Sequence, residues 1–239
     1  MQAFLWGLVA SSSLLLGGIL VLLRPPSQRT IALIMAFGAG ALISAVAYDL
    51  VEDAFEHGEG GLFAAFAAGA LVFYAGDALI DHIGGNDRKR STGAQASGSG
   101  AAIAFGTVLD GIPESVVLGT TLVTGLSWTF LIAVFISNLP EAMSATAGLS
   151  RAGHRPSQIM MLWAGTALAS ALAAMVGYTV IGSTSPGTVA IAQAFAAGAL
   201  LTMLADTMIP EAYEFGGRAT GLVTSLGFSV AFGLSALSG

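Results

Sequence analysis

No cysteine occurs among the 239 residues. That excludes a disulfide framework, a thiolate metal site and thiol catalysis. Charge is scarce as well, at 9% of residues against about 25% in a soluble domain. A chain with so few polar groups cannot cover a water-facing globule. Histidine occurs three times, as His57, His82 and His154. All three fall in or near loops by the sequence pattern, so no buried imidazole is expected to serve as ligand or base. An enzyme is therefore not expected.

In place of charge stand long apolar runs, with 55% hydrophobic residues, 32 glycines and abundant alanine. The composition is that of an all-α polytopic membrane protein whose small residues let helices approach closely. A span needs about 20 mostly apolar residues. Eight segments qualify, near 3–23, 31–54, 61–83, 101–124, 127–149, 157–182, 187–214 and 219–237. The first lacks a basic n-region and reads as a span rather than a signal peptide. The whole chain reads as a single transmembrane domain, 1–239. Its one long loop, 84–100, is Gly/Ser-rich and is expected to be flexible.

The eight cationic residues are Arg24, Arg29, Arg88, Lys89, Arg90, Arg151, Arg155 and Arg218. All fall in odd-numbered loops. By the positive-inside rule those loops, including 84–100, are cytoplasmic and both termini are extracytoplasmic. Trp6 and Trp128 are expected at the outer membrane interface and Trp163 at the inner one. The lipid bilayer is thus the first partner, and nothing suggests a nucleic acid.

An internal repeat is visible. "AFGAGALISAVAYDLVEDAFEHG" (36–58) aligns without gaps on "AFAAGALLTMLADTMIPEAYEFG" (194–216), at an offset of 158. The first copy is span 2 and the second span 7, so the copies run in opposite directions. Spans 4 and 5 form another such pair. "LDGIPES" lies over "ISNLPEA", which sets Asp110 over Ser137, Pro113 over Pro140 and Glu114 over Glu141. The pattern predicts a 3+2+3 arrangement with inverted repeats, a layout shared by alternating-access transporters.

Ionisable groups within a membrane are costly and point to function. Asp110 and Glu114 are four apart and share a face of span 4. Asn138 and Glu141 are three apart on span 5. Each proline removes a backbone donor, which frees the carbonyls of Leu109 and Ile136. Carboxylate, amide and carbonyl oxygens together suit a hard divalent cation. Ser137 is a weaker candidate ligand. Asp49, Glu52, Asp53, Glu56 and Glu59 crowd the outer end of span 2, and Asp206, Glu211 and Glu214 the inner end of span 7. Asp49 and Asp53 are expected to gather cations outside, and Asp206 and Glu211 to receive them inside. Asp77 and Asp81 read as interfacial.

The paired "DGIPES" and "SNLPEA" resemble the signatures on the fourth and fifth helices of the ZIP (Zrt/Irt-like) metal transporter family. That resemblance implies import of a divalent metal such as zinc, iron or manganese, as substrate, through a site between helices 4 and 5. It also implies a possible homodimer. The family's first-motif histidine falls on Asp110, its asparagine on Gly111 and its glutamate on Glu114. The second motif's histidine falls on Ser137, its next polar ligand on Asn138 and its glutamate on Glu141. Both histidines are thus replaced, and span 6 lacks the carboxylate many members carry. What results is an expected oxygen-only, mononuclear site in a divergent member, in a bacterial or archaeal plasma membrane. Three alternatives stand beside it: a proton-linked carrier of another solute, a membrane enzyme, and a metal-binding pseudo-transporter that moves nothing.

Overall fold

Glycine-rich apolar runs, four of them with serine or proline at their starts, become eight membrane-length helical spans in the structure, a computed structural model. It describes residues 1–52, 54, 55, 61–85, 90–92, 100–124 and 126–238. The spans are α1 (Gln2–Leu23), α2 (Gln28–Glu52), α3 (Leu62–Gly85), α4 (Gly100–Thr124), α5 (Trp128–Arg151), α6 (Pro156–Ile181), α7 (Pro186–Gly216) and α8 (Ala219–Ser238). Each starts within a few residues of the segment read from the sequence. Seven are long and apolar enough to cross a bilayer. The eighth, α4, has 25 residues and carries Asp110 and Glu114. The protein is an all-α integral membrane protein.

The helix starts follow capping chemistry. Ser27, Ser127 and Ser185 precede α2, α5 and α7, and each side chain accepts a backbone N–H from three residues on. Pro156 and Pro186 occupy first-turn positions, where a missing N–H costs nothing. Pro25 and Pro26 end α1, and Gly153 and Gly217 turn the chain with φ of 88° and 61°.

Packing shows the repeat directly. α2 packs chiefly on α8, and α3 on α7. A Cβ at Gly40 would strike the Thr224 carbonyl, and one at Gly227 the Phe37 carbonyl. Likewise Gly198 lies on the Phe66 carbonyl and Gly69 on that of Phe195. Adding 158 turns Gly40 into Gly198, Gly69 into Gly227, Phe37 into Phe195 and position 66 into 224. The two seams are therefore one seam, used twice. The helix ends give the direction: Asp49, late in α2, meets Ser235, late in α8. Helix carbonyls point toward the C-terminus, so in a parallel pair a glycine meets the carbonyl three residues before the glycine facing it. Every one of these contacts obeys that rule. So does a third seam, where Gly119 meets Ala174 and Gly177 meets Val116. α2 runs parallel to α8, α3 to α7 and α4 to α6, as eight alternating spans require.

The same symmetry reaches the backbone. α2 loosens into a π-helical turn at Val46–Glu52, and α7 does so at Leu204–Met208. The two turns begin 158 residues apart. They interrupt repeat-related helices just where each approaches its acidic end.

Two expectations are corrected here. Trp163 is not an interfacial anchor. It is fully buried between α1 and α5, and its Nε1 donates to Thr146 Oγ1 at 2.8 Å. A sequence rule keyed to depth could not see that this ring fills the space left beside Gly18. Trp6 and Trp128 do meet at one end of the bundle, edge to face, with centroids 5.4 Å apart. The loop 84–100 is not uniformly a free linker either. Its residues Arg90–Thr92 are described, and Ser91 is buried against the helix ends. The stretches 86–89 and 93–99 lie outside the described residues.

Candidate functional site

The two motif helices occupy the centre of the molecule in different company. α4 packs mainly on α6 and α7, and α5 mainly on α1 and α2. These are repeat-related neighbourhoods, and α4 and α5 touch each other only narrowly. Both run unbroken through their prolines, so Pro113 and Pro140 sit inside continuous helices.

Every motif side chain proposed as a ligand is buried. Asp110 and Glu114 are 2% and 1% exposed, Ser137 is fully buried, and Asn138 and Glu141 are 8% and 5% exposed. Pro113 turns the other way. With Ile112 and Val116 it lines an apolar groove completed by Ile191 and Phe195 of α7. The carboxylates thus occupy the interior face of α4 and the proline ring its outer face. Ser137 Oγ donates to the Val134 carbonyl at 3.0 Å, which leaves its lone pairs as acceptors.

The freed carbonyls need a further correction. The Ile136 oxygen faces α2, 2.9 Å from where a Cβ on Gly38 would stand. Pro140 therefore opens α5 toward α2, and this oxygen is not turned toward α4. At Gly111 a side chain would meet Ser170 Oγ at 3.0 Å. Glycine there lets α4 seat on α6, which explains why no polar ligand occupies the position. Among the described residues, no three His, Asp or Glu side chains converge closely enough to hold one ion. A shell built in this arrangement would combine at most two carboxylates with Asn138, Ser137 and main-chain oxygens.

The remaining acids divide. Asp49 lies on the π-turn of α2 and accepts from Ser127 Oγ at 3.0 Å and Ser235 Oγ at 3.2 Å. It ties α2 to the start of α5 and the end of α8, where the helix dipole of α5 favours an anion. Asp53, Glu56, His57 and Glu59 lie outside the described residues. Asp206 is exposed on the π-turn of α7, with Asp77 of α3 as its acidic neighbour. Glu211 is buried, at 6% exposure. The two inner acids expected to act together are thus in different surroundings. His82 is exposed and His154 half-buried.

Sequence reasoning missed Ser144. It donates to Glu211 Oε1 at 3.0 Å and lies three residues past Glu141 on the same face of α5. Ser137, Glu141 and Ser144 form one polar stripe, a spacing the sequence did contain. Ser91, which also reaches Glu211, carried no such signal.

Taken together, the buried ionisable side chains of the described residues are all acids: Asp110, Glu114, Glu141 and Glu211. Every described arginine is exposed. The fold and its interior define a polytopic membrane protein with inverted repeats and an interior that carries acidic side chains. Comparison with known proteins adds nothing to that class, since neither a family model nor a curated protein matches the chain.

Proposed function

We propose that the protein carries a divalent metal cation across the membrane toward the cytoplasm, in the manner of the ZIP family its motifs resemble. The observation that supports this most is the burial of Asp110, Glu114, Asn138 and Glu141 on the two central helices of an inverted repeat. A carboxylate in a medium of low dielectric carries a large desolvation cost, which a cation or proton offsets. The donors are oxygens, the ligand type suited to manganese, magnesium or calcium, and zinc also accepts carboxylates. Asn138 offers a carbonyl oxygen and Ser137 a hydroxyl, so the ligand count does not depend on carboxylates alone. Passage would follow a rocking of one repeat-related helix group against the other, with the site alternately facing each side. Both termini would lie outside, which places Arg24, Arg29, Arg90, Arg151, Arg155 and Arg218 at the cytoplasmic face.

Uptake of Mn²⁺, Zn²⁺ and Fe²⁺ into liposomes holding the purified protein tests the reading. Glu114→Gln and Glu141→Gln should each reduce flux to background while the protein stays monodisperse. No flux with any of the ions would overturn it. A proton-linked carrier is the second reading, favoured by the lack of three converging acids among the described residues. It predicts acidification of the liposome lumen under a solute gradient with no metal present.

A further inference from the structure

At the end of the bundle where α2 and α4 begin and α5 and α7 end, a short piece of the long loop is held from several directions. The Ser91 backbone N–H donates to Glu211 Oε1 at 2.9 Å. Its carbonyl accepts from Arg151 Nη1 at the end of α5. Its hydroxyl accepts from Gln28 Nε2 at the start of α2, at 3.2 Å. The neighbouring Arg90 pairs with Glu214 at 3.8 Å across half-exposed side chains, a weak contact by itself. Ser91 is only 1% exposed, although it belongs to a polar loop.

The anchor of this arrangement is unusual. Glu211 is more than nine-tenths buried, and its Oε1 takes both Ser91 N–H and Ser144 Oγ. Its Oε2 is buried with no hydrogen-bond partner among the described residues. A buried carboxylate oxygen left in that condition is costly, and the cost is relieved by a cation. Ser144 places this oxygen about one helical turn from Glu141, along the polar stripe of α5. A cation drawn onto Oε2 withdraws charge from the carboxylate and so weakens the hydrogen bonds that Oε1 accepts.

We propose that Arg90–Thr92 is a plug latched into the inner mouth by Glu211, and that Glu211 is also the last cation station before the cytoplasm. An ion leaving the central site and the Ser91 peptide compete for the same carboxylate, so arrival of the ion releases the plug. The inference rests on the transport reading for the direction of flow. The latch itself does not.

The absence of cysteine makes the test clean. Ser91→Cys puts a single thiol in the plug and keeps both backbone contacts. Its labelling by a membrane-impermeant maleimide is timed on protein in nanodiscs, with and without Mn²⁺. Labelling should be slow without metal and several times faster with it. In the Ser91→Cys, Glu211→Ala protein it should be about tenfold faster from the start, the scale for losing a charged hydrogen bond, and indifferent to Mn²⁺. Glu211→Gln is nearly isosteric and guards against misfolding. Its amide oxygen still accepts the N–H, so labelling stays slow, but the Mn²⁺ response disappears. In Arg151→Ala the plug loosens while the Mn²⁺ response persists. Equal labelling of the Glu211→Ala and parent proteins would overturn the latch. A Mn²⁺ response that survives both Glu211 variants, or none with Glu211 intact, would overturn the station. Failure of liposome uptake with the labelling pattern intact would sink the transport reading alone.

Discussion

Ser127 does two jobs with one hydroxyl. It caps α5 by accepting the Phe130 N–H at 3.1 Å, and it donates to Asp49 at 3.0 Å. Ser127→Ala should therefore cost about 0.5–2 kcal/mol for the cap, plus a contribution from the weakened brace. Ser235→Ala removes only the second hydroxyl on Asp49 and should cost less. Thermal unfolding in detergent ranks the two, and a larger loss at Ser235 would contradict the assignment. Trp163 makes a sharper prediction at the same scale. Trp163→Phe deletes ring volume and leaves Thr146 Oγ1 without its donor in a closed interior. The expected loss is about 2–4 kcal/mol, visible as an early melting transition. Had Trp163 been an interfacial anchor, the same change would be nearly silent. Residue scale is where the sequence was least legible. Burial of the five motif side chains could be inferred from their position in apolar runs. The direction of the Ile136 carbonyl could not, because it depends on a glycine of another helix, Gly38. The Ser91 contact depends on how a polar loop folds back, which no periodicity encodes.

Among elements, the close seams carry the architecture. Gly40→Ala and Gly198→Ala each drive a methyl into a backbone carbonyl on the partner helix. The two positions are repeat-related, so their penalties should match, at roughly 2 kcal/mol or more each from overpacking. Gly221→Ala is the natural control. Nothing lies within 4 Å of its would-be Cβ, and alanine is the better helix former by about 1 kcal/mol. Melting temperature and yield after size exclusion measure all three, and unequal losses at Gly40 and Gly198 would argue against symmetric seams. This scale was the most legible. The gapless offset of 158 foretold which helices correspond. What it withheld was that corresponding glycines would meet helices of the other half, since self-similarity says nothing about who packs on whom. The π-turns at Val46–Glu52 and Leu204–Met208 were also hidden, because they are a matter of backbone hydrogen-bond register.

For the whole molecule, the three parallel seams demand that spans of like parity run the same way. Single cysteines at position 3 and position 237 should both be labelled from outside intact cells. One at position 155 should be labelled only after permeabilisation. Split labelling of the two ends would break the eight-span count. The charge pattern predicts the same parity, since all eight cations fall in odd-numbered loops. Six arginines of the odd-numbered loops are described, and two of them, Arg90 and Arg151, meet contacts at one end of the bundle. The sequence did not reveal how the centre is shared. α4 and α5 were expected to face each other across a site, yet each leans mainly on helices of a different group.

The crossed seams also bear on the order in which the chain can assemble. α2 finds its tightest partner in α8, and α3 in α7, so neither of the first three-helix groups' main grips can form early. Gly40 waits for Gly227, about 190 residues of synthesis later. At roughly 5–20 residues per second that is on the order of ten to forty seconds in the membrane with a glycine groove open to lipid. Newborn α2 can lean on α5 in the meantime, but its glycine groove stays unfilled until α8 arrives, and that of α3 until α7 does. The first half of this protein is therefore completed only by the second: α1 and α2 gain α5, then α3 closes on α7, and α2 on α8 last of all.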